Sequence, residues 1–251
     1  LAQKVFSDDN VAATVPIIAP PFSFPPEDTS HTYLVTAKSR GDRSIALTGT
    51  NRGSFVGAIV AWIGDRWQTI SFESRHEMMT AYLLLSHPKL TDLREQVRSP
   101  GYVDEDGVHH DHVFDFVATI DGEDHAIACK LQSSTDRLNF RATLGLLASQ
   151  MGDFADTVDL VVEGAFSRTR AFNAELFHFL RWEHDQEADE VLLGLVSSLE
   201  GVTTVAAIVA ASGLKGRGWR SLVRMCAHHR VAVVRGRIDD YTTLIARDIA
   251  A

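Results

Sequence analysis

Two apolar runs joined by a turn dipeptide constrain this chain more than any other feature. Residues 113–120 alternate, with Phe114, Phe116, Ala118 and Ile120 on one side and Asp115 on the other. Asp121-Gly122 carries the chemistry of a tight hairpin turn, and residues 125–131 return as a second strand. In that strand Ala126, Ala128 and Lys130, followed by Gln132, share a face opposite Ile127, Cys129 and Leu131. Successive strand side chains point to opposite faces, so Asp115 and Lys130 are expected to leave the core together from neighbouring strands.

The surrounding segments extend this into a mixed α/β domain. Short apolar runs at residues 55–62 and 67–72, broken by Gly64-Asp65, read as an earlier hairpin. Met78, Ala81, Tyr82 and Leu85 have helical spacing over residues 74–86, and His87-Pro88 ends that helix. Residues 140–151 read as a helix and 158–162 as a short buried strand, so the sheet is expected to carry helices on both sides. Residues 1–45, with Pro16, Pro20, Pro21, Pro25 and Pro26, read as an extended arm, and 46–165 as the α/β domain.

Residues 166–251 differ in character. Helices are expected at 171–182, 188–199, 203–212 and 219–229, with a turn at 213–218 and strands at 231–234 and 241–246. That order resembles an α-rich winged-helix domain. Between Leu214 and Ile238 lie Lys215, Arg217, Arg220, Arg224, Arg230, Arg235 and Arg237 without an acidic residue. This is the one local candidate for a nucleic-acid face, carried by Lys215, Arg217, Arg220, Arg224, Arg235 and Arg237; a basic face that meets acidic protein is the alternative.

Composition limits the function classes. Hydrophobic residues make up 45% and charged residues 23%, the mixture of a packed globular protein. No apolar run approaches the roughly 18 residues that span a bilayer, and nothing at the start of the chain marks it for export, so no membrane partner and a cytoplasmic location are expected. A net charge of -9 argues against strong unaided binding to phosphate backbones. Cys129 and Cys226 are too few for a disulfide framework and are not spaced as zinc ligands, so both are expected as buried thiols.

Hydrolysis of a phosphodiester at neutral pH needs carboxylates converging on a divalent cation, with a lysine nearby. A helix-borne Glu, an Asp on one strand of a hairpin and a Lys on the next form the smallest common scaffold for it. Glu77, Asp115 and Lys130 match these positions, but the residue two before Lys130, where a further acid belongs, is Ala128.

These residues stand in a recognisable order. The stretch Phe72-Glu73-Ser74-Arg75-His76-Glu77, Leu83-Leu84-Leu85 and His87-Pro88 resembles the start of the TnsA transposon endonuclease domain, of the PD-(D/E)xK superfamily. Arg94-Glu95-Gln96 resembles that family's strand leading into the site. Tyr102-Val103-Asp104 through Val113-Phe114-Asp115-Phe116 resembles the segment ending in its catalytic Asp. Asn51-Arg52-Gly53-Ser54-Phe55 resembles the lead-in, and Phe172-Asn173-Ala174-Glu175-Leu176 the start of the second domain, so the similarity covers residues 50–185.

The resemblance implies a restriction-endonuclease-like core that cuts at transposon ends with Mg2+, or Mn2+ in its place. Its partners would be DNA, a DDE-type transposase subunit and an ATP-dependent transposition regulator. Glu77 and Asp115 would bind metal, and Lys130 would position water and stabilise the transition state. Family members carry Glu, Asp or Gln where this chain has Ala128; Gln132, Glu73 or additional water are the candidates to substitute. A catalytically degenerate subunit that binds DNA or partners without cutting is the alternative, and a stand-alone restriction or repair nuclease a third.

Other polar clusters carry less. His109, His110, Asp111 and His112 read as an exposed approach to the Asp115 strand rather than a metal site, and His228 and His229 as residues placed against a helix dipole. Ser133-Ser134-Thr135-Asp136 reads as a loop with a helix cap, and Gly213, Gly216 and Gly218 lack the context of a phosphate loop.

Overall fold

The computed structural model describes residues 37–45, 55–137 and 139–247. Most of the expected arm, and residues 51–54 of the lead-in, lie outside the described residues. The chain divides into two units between Phe166 and Ser167.

In the first unit β1 (Gly57–Ile63) and β2 (Arg66–Phe72) pair as an antiparallel hairpin closed by Gly64-Asp65. Helix α1 (Arg75–Leu85) starts where the Ser74 hydroxyl accepts the Glu77 amide proton at 3.1 Å, an N-cap that satisfies one of the free N–H groups of the first turn. There follow β3 (Leu90–Arg98), a small ribbon of β4 (Tyr102–Val103) and β5 (His109–His110), then β6 (Val113–Ile120) and β7 (Glu123–Lys130). The β6–β7 turn places Asp121 at φ 57° and Gly122 at φ 84°, the two successive left-handed positions that a tight hairpin turn requires. Helices α2 (Gln132–Arg137) and α3 (Phe140–Gln150) lead to β8 (Thr157–Val162).

The main sheet has the order β3-β6-β7-β8, antiparallel except for the parallel pair β7–β8. A parallel neighbour needs a crossover connection, which α2 and α3 provide. Helices cover both faces. Cys129 meets Thr80 of α1, with Sγ and Oγ1 3.6 Å apart. On the other face Val117, Ala126, Ala128 and Leu160 pack with Phe140, Leu144 and Leu147 of α3.

That packing corrects two expectations. The face bearing Ala126 and Ala128 is core, not a polar surface; only Lys130, at the strand end, emerges from it. Strict alternation in β6 also fails, because Phe114 and Val117 belong to one apolar cluster although two residues separate them, which would put them on opposite faces. Across from Asp115 in the β3–β6 pairing lies Gln96, whose φ is 51°.

The described end of the arm is part of this unit. Lys38 forms a parallel bridge with Gln68, Ser39 Oγ donates to Glu95 Oε1 at 2.5 Å, and the Asp42 and Arg43 amides donate to the Gln96 carbonyl at 3.0 and 3.3 Å. Ser133 and Thr135 lie within α2, not in the expected loop.

The second unit comprises α4 (Arg168–Leu180), α5 (Gln186–Ser197), β9 (Val202–Thr204), α6 (Val205–Ser212), α7 (Gly216–Ala227), β10 (Val231–Arg235) and β11 (Leu244–Arg247). The strands form one sheet in the order β10-β11-β9. Thr203 and Thr204, expected in a helix, end β9, and Thr204 caps α6 by accepting the Ala207 amide proton at 3.1 Å. Leu192, Val196, Ile208, Leu222, Val223, Ile238 and Ile245 form the core. Cys129 and Cys226 are buried free thiols. Among the described residues no helix is long and apolar enough to cross a membrane.

Asn173 ties α4 to the loop after β10. Its Nδ2 donates to the Gly236 carbonyl at 3.1 Å and its Oδ1 accepts the Ile238 amide proton at 3.0 Å. Truncation would strand a buried donor and a carbonyl, so Asn173→Ala is expected to destabilise the second unit by about 1–3 kcal/mol. Hydrogen exchange at the Ile238 amide in the intact chain measures this as faster opening.

Candidate active site

The structure brings Glu77, Asp115 and Lys130 together. Glu77 is the third residue of α1, and its short distance from the cap residue gives it a rigid seat. Its Oε1 accepts from the Ser74 hydroxyl and its Oε2 from the Glu73 amide, each at 2.8 Å. Asp115 reaches β7 from β6. Regular pairing of these strands ends at Phe116 and Ile127, and beyond it Asp115 Oδ2 accepts the Cys129 amide proton at 2.7 Å. A side chain thus takes a proton that a neighbouring strand's carbonyl would ordinarily receive. Lys130 Nζ stands 3.7 Å from the same oxygen and 5.5 Å from the centre of the Phe140 ring.

Electrostatics mark the cluster as costly. Burial raises the Glu77 carboxyl above its ordinary range, and the negative charge of Asp115 raises it further, against the hydrogen bonds from Glu73 and Ser74. Burial likewise raises Asp115, opposed by Lys130, the Cys129 amide, Arg43 and the side chain of Gln96. Cys129, enclosed beneath both carboxylates, has its thiol pushed up by burial and by Asp115, and so is no nucleophile. His112 packs edge-on against Phe114, and burial and Lys130 lower it to about 4, so it is neutral at pH 7.

The expected substitutes for a third acid do not join the pair. Strand β7 ends at Lys130, and Gln132 opens α2 with an exposed side chain, while its backbone N–H donates to Glu163 Oε2 at 3.2 Å. Glu73 precedes the cap of α1 rather than lying one turn earlier in it, and its carboxylate pairs with Arg43. Ala128 is 1% exposed within the α3 cluster. Among the described residues no group of three or more His, Cys, Asp or Glu side chains converges as a metal site.

Two contributors were missed from sequence. Arg43 lies in what reads as an arm, and Gln96 in a strand rich in charge; neither belongs to a motif of fixed spacing.

The basic segment of the second unit is largely neutralised from within. Arg217 pairs with Asp185 and Glu187, both at 2.7 Å, and Arg220 with Glu183 at 3.8 Å. Arg224, 4% exposed, binds Asp189 at 2.6 Å and is a structural residue rather than a nucleic-acid contact. Arg237 pairs with Asp239 at 2.7 Å and lies 3.5 Å over the Phe172 ring. Lys215 and Arg235 are exposed. The counter-charges of Arg217, Arg220 and Arg224 sit on and before α5 and that of Arg237 just past the basic stretch, so a count over that stretch alone could not register them. His228, expected as a cation at a helix end, is lowered to about 4 by burial and by Arg181 and is neutral at pH 7.

No family model matches the chain, and no curated protein matches it either.

Raised carboxyl groups mean that the folded chain holds these protons more tightly than the unfolded chain. The carboxyls therefore favour folding least above their raised midpoints, and stability from this pair falls as pH rises out of the ordinary carboxyl range. Glu77→Gln keeps both hydrogen bonds, because the Ser74 hydroxyl can accept as well as donate, and removes a buried charge. The melting temperature of Glu77→Gln is expected to exceed that of the parent by a few degrees at about pH 8 and to converge with it below about pH 4, the ordinary carboxyl range, as read by calorimetry.

Proposed function

We propose that the chain is a metal-dependent DNA endonuclease subunit of the TnsA type, hydrolysing phosphodiester bonds at transposon ends. The observation that carries this reading is the meeting of Asp115 and Lys130 where β6 and β7 separate, with Glu77 in the same electrostatic field. A helix-borne Glu and a hairpin Asp and Lys on a mixed sheet covered on both faces support a restriction-endonuclease-like core.

The donor set fits Mg2+. That ion typically takes one or two protein carboxylates and completes its shell with water and substrate phosphate oxygens, so Glu77 and Asp115 would suffice without an acid at position 128. When bound there, Mg2+ or Mn2+ would supply Lewis-acid polarisation and an ionised water at neutral pH. Around it Ser74, the Glu73 amide and the Cys129 amide hold the two carboxylates in fixed orientations, and the Lys130 ammonium offsets charge that develops on the phosphate.

The second unit supports a winged-helix reading, with α5, β9, α6, α7 and the β10–β11 hairpin in the order of such modules. In this reading α7 faces DNA through Lys215, Arg217 and Arg220, and the hairpin contributes Arg235 and Arg237. Exposed ion pairs contribute little to stability, so Arg217, Arg220 and Arg237 can exchange carboxylate for phosphate. The net charge of -9 favours delivery by partners: a DDE-type transposase subunit and an ATP-dependent regulator, in the cytoplasm.

Ala128 favours a second reading, a TnsA-like subunit that binds DNA or its partners without cutting. The two separate in a nicking assay with supercoiled DNA, the partner proteins and Mg2+ or Mn2+. The nuclease reading expects metal-dependent nicking that falls by at least about a hundredfold in Asp115→Ala and in Lys130→Ala, the scale of removing a group that acts in proton transfer or charge stabilisation. Nicking that persists unchanged in Asp115→Ala overturns it.

A further inference from the structure

We propose that Gln96 and Arg43 are positioning residues that hold the Asp115 carboxylate in its working orientation, an inference that rests on the nuclease reading of this site.

Gln96 lies in β3 between the pairs Glu95–Phe116 and Val97–Phe114, directly across from Asp115. It is 1% exposed and has a φ of 51°, a left-handed conformation that strains a residue with a Cβ in mid-strand. Strain of this kind persists only where the surroundings impose it, and it gathers at functional sites.

The surroundings that impose it are Asp42 and Arg43. Their amides both donate to the Gln96 carbonyl. The Arg43 guanidinium then takes the side chain: Nε donates to Gln96 Oε1 at 2.9 Å, and Nη2 donates to the same oxygen. A guanidinium has donors only, so the amide cannot reverse, and Nε2 is turned away from Arg43. That nitrogen is buried and makes no regular hydrogen bond among the described residues, and its residue stands across from Asp115 in the β3–β6 pairing.

Arg43 reaches the second carboxylate by another route. Nη2 also binds Glu73 Oε2, and the Glu73 amide donates to Glu77 Oε2 at 2.8 Å. One guanidinium thus braces the supports of both acids. The Cys129 amide reaches the Asp115 carboxylate from β7, and Gln96 stands across from Asp115 on β3, so both neighbouring strands flank the acid. A tie that served only to dock residues 37–45 would not need the Gln96 amide nitrogen buried across from Asp115.

The test uses the intact chain with Gln96→Gly, which accepts the left-handed backbone without strain, and Arg43→Met, which keeps the stem and removes the donors. The Cys129 amide proton, hydrogen-bonded to Asp115, reports the carboxylate's position by NMR, and Mn2+ affinity is read by electron paramagnetic resonance. Both variants are expected to shift the Cys129 amide proton upfield and to weaken Mn2+ binding by about tenfold, the usual scale for losing a residue that orients a ligand. Gln96→Gly is expected to melt no lower than the parent. A Cys129 resonance that stays in place in both variants overturns the proposal. If the parent itself binds no Mn2+, the nuclease reading falls, and the Cys129 resonance still decides the positioning role alone.

Discussion

Where the β6–β7 ladder stops, a carboxylate receives the Cys129 amide proton. That single exchange of a side chain for a main-chain acceptor organises the first unit. It lets two central strands part without leaving a buried donor unpaired, which would cost about as much as a lost hydrogen bond. It also draws Asp115 into the gap, where Lys130 from the diverging end of β7 meets it. Strands β3 and β7 hold the parting strand from either side, and α1 closes one face with Glu77 pointing into the same space.

The arrangement works against stability. Two carboxylates are desolvated near one another, and both are raised above their ordinary range. A chain selected for stability alone would have neutral or apolar groups there, as it has at the buried Ala128 of β7. Perturbed acids held by capping and main-chain donors, beside a lysine, are the arrangement on which the nuclease proposal rests. The second unit differs: Arg224 is buried but paired with Asp189, which joins α7 to α5, while Arg217 pairs with Asp185 and Glu187 at the surface.

How much of this was readable from the residues depended on whether the signal was local. Turn chemistry at Asp121-Gly122 and the helical spacing of Met78, Ala81, Tyr82 and Leu85 placed β6, β7 and α1 almost to the residue, and with them Glu77, Asp115 and Lys130. Strand β3 was readable only through its family likeness: Asp92, Arg94, Glu95 and Arg98 give it a polar sequence, and Arg40, Ser39 and Asp42 satisfy that polarity from far along the chain. The left-handed backbone at Gln96 has no sequence mark, since glutamine does not favour it. Arg43 was hidden by the proline-containing stretch before it. On α7 the acidic partners of the basic residues, Glu183, Asp185, Glu187 and Asp189, were not readable from the basic stretch because they come from another part of the chain.

Crystals soaked in Mn2+ and measured for anomalous scattering test the central claim most directly, that Glu77 and Asp115 form one cation site beside Lys130. The account predicts a single strong peak between the two carboxylates, completed by water on the side away from Ala128. A manganese peak that falls elsewhere, or an empty space between two carboxylates at saturating Mn2+, would contradict it.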